Sequence, residues 1–267
     1  MFITRLISGI ILVALALLVN ITGGYLLFGT MLVISLIGVF EFNRAIGIEK
    51  ELPGFISYGG VVFYYVMLLF NKADLIMLSL IVLLVVLLGA YVVTFPKYKS
   101  KDFISAFFGV IYVAVMMSCI YRVRILPDGQ FLVWLIILSS WGCDTMAYCA
   151  GRLFGKRKLA PILSPKKSVE GGIGGVIGAA LLGLIYALAI NAFADPVISR
   201  IWQYPIICAA GAVISQFGDL AASGIKREHE IKDYGRLIPG HGGILDRFDS
   251  VIFTSPIIFY LSLWFLK

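Results

Sequence analysis

Apolar runs about twenty residues long recur along the whole sequence, and no other feature limits its fold as strongly. A hydrocarbon core about 30 Å thick is crossed by about 20 mostly apolar residues in a helix. Such runs lie near residues 3–20, 23–40, 54–70, 75–95, 103–121, 130–150, 171–193, 202–222 and 247–266. Only 14% of the residues are charged, against about 25% in soluble domains. The expected fold is therefore all-α, a polytopic integral membrane helical bundle of about nine transmembrane helices. The first run lacks a small-residue cleavage site and is expected to be the first span, not a signal peptide.

Loops retained in the cytoplasm carry excess Lys and Arg. With nine spans and a cytoplasmic N-terminus, 17 of the 22 basic residues fall on the inner side, and 5, Arg200 and Lys267 among them, on the outer side. Trp202, Tyr204, Tyr260 and Trp264 then sit at the outer interface, where amphipathic rings are favoured. The net charge of +7 is spread over short loops, with no basic domain or aromatic platform, so it does not point to nucleic acid. Cys119, Cys143, Cys149 and Cys208 lie in apolar runs without metal-ligand spacing and are expected to be small buried thiols. Gly171, Gly175, Ala179 and Gly183 recur every four residues, a face on which a second helix can pack closely. The chain reads as a single transmembrane domain, residues 1–267. Residues 1–125 are chemically quiet, and the polar concentration lies in 126–267.

That concentration peaks between Ser223 and Asp249, where twelve charged or imidazole side chains stand between two apolar runs. Acids within spans are expensive and mark function by default. Asp144 lies in the sixth run and Asp219 near the cytoplasmic end of the eighth. Asp246 and Asp249 open the ninth, three residues apart and so on one helix face. Single acids there would serve as helix N-terminal charges. Three acids from two spans flanking one loop point instead to a metal site at Asp219, Asp246 and Asp249. Oxygen donors alone suit Mg²⁺, one or two ions, completed by substrate phosphates. Pro239-Gly240-His241-Gly242-Gly243 is a turn whose amides can face an anion. Lys226, Arg227, Lys166 and Lys167 add positive charge, and Ser223 shares a helix face with Asp219.

The stretch SGIKREHEIKDYGRLIPGHGGILDRFD, Ser223–Asp249, resembles the signature of phosphatidate cytidylyltransferases over its full length. Gly218-Asp219-Leu220, the block Ser164–Gly171, and Asp144-Thr145 with Ala147-Tyr148 and Gly151–Lys156 are similar to other blocks of that family. Ala222 departs from it, since many members carry an acid there, and a role tied to that acid does not transfer. The resemblance implies that CTP and phosphatidate give CDP-diacylglycerol and pyrophosphate. It also implies that Asp219, Asp246, Lys226 and His241 are catalytic and that Asp219 and Asp246 hold Mg²⁺, with Asp249 as a further ligand or a neighbour orienting one. Lys226, Arg227, Lys166 and Lys167 would neutralise phosphates, His241, Gly242 and Gly243 would cradle the pyrophosphate, and Ser223 would contact substrate. Asp144 would either contact substrate near the nucleotide or serve as a structural partner of a basic residue. The expected partners are CTP, phosphatidic acid and membrane lipids, with a second copy of the chain as a further candidate. The expected location is a bacterial inner membrane with the site facing the cytoplasm. The alternatives are a transporter of an anionic solute, which predicts repeat symmetry and midplane acids, and a CTP-dependent lipid-alcohol kinase.

Overall fold

A computed structural model describes residues 2–193 and 201–266. Arg200 and Lys267 therefore lie outside the described residues. Helices α1 (Phe2–Thr22), α2 (Gly24–Ala45), α3 (Leu52–Leu69) and α4 (Ala73–Thr94) follow the first four apolar runs. The fifth run is α5 (Ser100–Gly109), a π-helical turn (Val110–Val115) and α6 (Met116–Arg124); the sixth is α7 (Gly129–Ile137), a second π turn (Leu138–Gly142) and α8 (Cys143–Phe154). A hairpin of β1 (Lys158–Ala160) and β2 (Ser164–Ser168) precedes α9 (Val169–Phe193), α10 (Gln203–Glu228) and α11 (Leu245–Leu266). Among the described residues, eight spans are long and apolar enough to cross a membrane, and α1 carries a further apolar stretch at Ser8–Thr22. The protein is a polytopic helical membrane protein.

Helices fill these runs because the bilayer core offers no water to backbone N–H and C=O groups, so the segment must satisfy them itself. The helices overrun the apolar stretches at their polar ends. Hydropathy marks the hydrocarbon, whereas helix hydrogen bonding continues into the headgroup region. Lys226 and Arg227, expected in a loop, therefore lie in the last turn of α10, where cations complement the helix C-terminus. The hairpin has no counterpart in the sequence reading, because its strands lack alternating apolar residues.

Two compact units emerge. One comprises Met1–Ser118 with His229–Arg247, the other Cys119–Glu228 with Phe248–Lys267. The long polar loop after α10 thus belongs with the N-terminal helices that looked chemically quiet.

In the first unit, Leu27, Val39 and Phe42 of α2 and Val61, Tyr64 and Tyr65 of α3 are buried with Phe103, Val110 and Val113. Lipid tails are as apolar as these side chains, so polar contacts and close packing must fix the helices. Ser35 Oγ and Tyr65 OH are 2.8 Å apart, as are Tyr64 OH and Ser118 Oγ. Asn43 Nδ2 donates to Ser57 Oγ at 2.9 Å.

In the second unit, the small-residue stripe of α9 serves two helices. A Cβ on Gly175 would stand 2.9 Å from Ala147 Cβ and Cys143 Sγ on α8, whereas one on Gly183 would stand 2.7 Å from Cys208 Sγ on α10. All four cysteines are free, and Cys149 is exposed where a buried thiol was expected. Tyr204 also departs from expectation. It is buried beside Tyr186, while Trp202, Tyr260 and Trp264 remain exposed.

Candidate active site

In the second unit the hairpin is pinned at its root. Glu170 accepts the Lys156 N–H at 3.0 Å and the Arg157 N–H at 3.2 Å, and the Val169 N–H donates to Arg157 O at 2.9 Å. Strand alternation turns neighbouring side chains to opposite sides. Lys166 is exposed, and Lys167 is half-buried in an ion pair with Asp219 of α10. Gly218, just before that acid, permits a close helix crossing, since a Cβ there would stand 2.8 Å from Asp249 O and 2.9 Å from Phe253 Cβ of α11. The crossing brings Asp249 within electrostatic range of Asp219, Asp144 and Lys226. Asp144, from α8, is likewise within range of Lys167 and Asp219.

Ser223 and Lys226 follow Asp219 at spacings that share one face of α10, and Arg227 is exposed at the helix end. Gln216, which the sequence reading passed over, lies one turn before Asp219 and donates to Gly172 O at 3.1 Å. It ties α10 to α9 next to the cluster. A glutamine in an apolar run at a helical spacing from an acid was the available signal.

The first unit holds the glycine turn. It is closed by the Ile238 N–H donating to Gly242 O at 2.8 Å and the His241 N–H donating to Ile238 O at 2.9 Å. Gly240 and Gly242 have φ of 78° and 87°, a conformation that favours glycine. Asp246 is buried, and its Oδ2 accepts the N–H groups of Tyr234 (2.8 Å), Gly235 (3.4 Å) and Gly243 (3.0 Å). The Gly243 amide, expected to face an anion, is thus engaged inside the loop, because a carboxylate of its own chain reaches it first. His241 Nδ1 lies 2.8 Å from Ser8 Oγ of α1, and Ser8 Oγ also donates to Pro239 O at 3.2 Å.

Two further residues of this unit escaped sequence reasoning. Glu41 of α2 is only 3% exposed and accepts the Leu245 N–H at 2.9 Å. Arg44 donates to Tyr234 O at 2.5 Å. Both looked like ordinary polar residues at the end of an apolar run.

Of the expected metal-binding acids, Asp219 and Asp249 come together in the second unit, joined by Asp144, while Asp246 belongs to the loop of the first. Among the described residues, no three acid, histidine or cysteine side chains close into a ready metal cage. The cluster instead holds three carboxylates against two lysines, an excess of negative charge made only of hard oxygen donors. Such a set fits a magnesium ion, which binds through one or two carboxylates and takes its remaining ligands from water and substrate phosphate.

Fold and site define an integral membrane protein whose charged residues gather at helix ends in acid and lysine clusters. The chain belongs to the cytidylyltransferase family, whose model matches residues 3–265. It is similar to the phosphatidate cytidylyltransferase of Staphylococcus saprophyticus, 35% identical over 260 residues that cover 95% of this chain and 96% of that protein. The Staphylococcus haemolyticus enzyme of that name is 38% identical over 180 residues, 67% of this chain and 66% of the relative. The Staphylococcus aureus one is 32% identical over 259 residues, 95% and 96% of the two chains. This protein is accordingly an enzyme, a nucleotidyltransferase that uses CTP. An enzyme that uses CTP is not the transporter of the first alternative.

Proposed function

We propose that the protein transfers CMP from CTP to phosphatidate, giving CDP-diacylglycerol and pyrophosphate in phospholipid synthesis. The observation that carries this reading is the cluster of Asp144, Asp219 and Asp249 with Lys167 and Lys226, in a chain similar over nearly its full length to phosphatidate cytidylyltransferases. In the reaction an oxygen of the lipid phosphate bonds to the α-phosphorus of CTP. The bond from that phosphorus to the β-phosphate bridge breaks, and its electron pair leaves with pyrophosphate. A phosphate monoester needs little base assistance, so the protein's task is to position two anions and screen their repulsion.

Lys167 and Lys226 screen the phosphates, and the exposed Lys166 and Arg227 draw the nucleotide in. Ser223, on the Asp219 face of α10, contacts substrate. His241 is assigned to the leaving pyrophosphate, with Gly242 and Gly243 shaping its turn. Asp219 and Asp249, with Asp144 beside them, would hold Mg²⁺, which when bound neutralises phosphate charge and polarises phosphoryl oxygens. Asp246, one turn earlier on α11, organises the loop. The excess of Lys and Arg on one side supports a cytoplasmic site, in a bacterial inner membrane, where CTP arrives from water while the acyl chains stay in the bilayer.

The decisive experiment supplies purified protein with labelled CTP, phosphatidate and Mg²⁺. A labelled CDP-lipid and stoichiometric pyrophosphate are expected. A product that retains only a phosphate from CTP, or no lipid product under conditions in which CTP binds, overturns the reading.

A further inference from the structure

We propose that Glu41, assisted by Arg44, is the positioning residue of the signature loop. Its carboxylate is wedged between the two limbs of the loop and holds the start of α11, so that the turn carrying His241 keeps a single shape. For its activity arm alone, the proposal rests on the transferase reading above.

Burying a carboxylate is costly unless its oxygens are bonded, and Glu41 spends this burial on one stretch of backbone. Oε2 accepts the Leu245 N–H at 2.9 Å. Leu245 is the first residue of α11, and the first amides of a helix have no partner within it. A carboxylate at that end also complements the helix dipole.

The glycines give the second observation. Gly235 and Gly243 stand on opposite limbs of the loop, and a Cβ built on either would collide with the Glu41 carboxylate. Neither has a positive φ, so backbone conformation does not demand glycine at these two positions. What demands it at Gly243 is the space Glu41 occupies, and at Gly235 that space together with the Gly243 Cα, which a Cβ would approach to 2.8 Å. In the sequence alone, Gly243 reads as part of an anion cradle; in the fold, the anion it accommodates is Glu41.

Asp246 completes the grip. While Glu41 fills the gap between the limbs, Asp246 Oδ2 gathers the amides of Tyr234, Gly235 and Gly243. Arg44, three residues along α2 and so on the Glu41 side of the helix, holds the Tyr234 carbonyl. The loop that carries His241 is therefore shaped by side chains some two hundred positions away in sequence.

The test uses the full-length chain in detergent, with three readouts: trypsin cleavage at the exposed Lys232 and Arg236 of the loop, steady-state transfer kinetics with CTP and phosphatidate, and the thermal unfolding midpoint. In Glu41→Ala, loop cleavage should accelerate about tenfold, and kcat/KM for CTP should fall about 100-fold, the scale of a small misplacement of reacting groups. The drop should persist when activity is expressed per folded molecule. Glu41→Gln, which keeps an acceptor for Leu245, should recover part of both. Gly243→Ala should be damaging in the wild-type chain and nearly silent beside Glu41→Ala, because the three atoms nearest its Cβ all belong to the Glu41 carboxylate. Unchanged loop cleavage with an activity loss that tracks only the unfolded fraction overturns the proposal. Strictly additive effects of Gly243→Ala and Glu41→Ala also overturn it. Should Glu41→Ala not fold, Glu41→Asp, one methylene shorter and so drawing the carboxylate out of the gap, with and without Gly243→Ala provides the comparison. Failure of the wild-type chain to make a CDP-lipid would refute the transferase reading and leave the cleavage arm intact.

Discussion

The two units treat their buried acids in opposite ways. In the first, Glu41 and Asp246 spend their oxygens on backbone amides, Leu245 for one and Tyr234, Gly235 and Gly243 for the other. In the second, Asp144, Asp219 and Asp249 crowd one another and are answered by lysine side chains. An acid satisfied by amides is fixed in place and shapes the chain around it. Acids gathered against fewer cations leave negative charge for a ligand to answer, and a lysine among them can exchange a protein partner for a phosphate. The same residue type is thus saturated by backbone amides in one unit and set against lysines in the other.

The sharpest break of this contrast is at Asp219. Asp219→Asn should lower kcat/KM on the order of 10³-fold, the range for removing a preorganised electrostatic group, and leave trypsin cleavage of the 229–247 loop unchanged. Steady-state transfer assays and a cleavage time course read the two halves of that statement, and a loop that opens in Asp219→Asn would erase the distinction. Chelating divalent ions with EDTA should act like this variant, with activity restored by added Mg²⁺.

Asp246→Asn comes next, with an expected loss of about 10–100-fold, typical for a residue that orients functional groups. Its readout separates two roles. Acting through the loop, the variant opens the loop to trypsin at an unchanged half-saturating Mg²⁺ concentration; acting as a metal ligand, it raises that concentration with the loop closed. Lys167→Gln should cost about 10–100-fold in kcat/KM, the worth of one hydrogen bond to a charged group, and Lys167→Arg should recover part of it because the charge is kept.

Two smaller effects lie outside the acids. Gly175→Leu overfills the α8 and α9 contact and should destabilise the second unit by about 1–3 kcal/mol, visible in the unfolding midpoint with no change in loop cleavage. Tyr64→Phe removes the hydroxyl contact to Ser118 and should cost about 0.6 kcal/mol, near the average for such bonds within membranes.

How much of this was legible in advance can be judged residue by residue. Gly175 was legible as a packing position, since four-residue spacing of small residues is a helix-face pattern, but not that the stripe would be shared between α8 and α10. Asp144, Asp219 and Asp249 were legible as candidate acids because charge within an apolar run carries its own cost. Their grouping with Lys167 was not, because it depends on the hairpin that aims that lysine and on Gly218, which lets α10 and α11 close. Glu41 was illegible. It stands where an apolar run ends, as many surface acids do, and only the return of the loop from the far end of the chain buries it.

The sequence by itself determined the spans, the membrane class and the family. Each of these is a local property: an apolar run must become a helix where there is no water to satisfy its backbone, and a signature is read along the chain. The tertiary structure alone decided which acids bond to amides and which face lysines, and that the glycines at 235 and 243 make room for Glu41. The reason is physical. The cost of a buried charge is set by what surrounds it, and here those surroundings arrive from residues far apart in the chain.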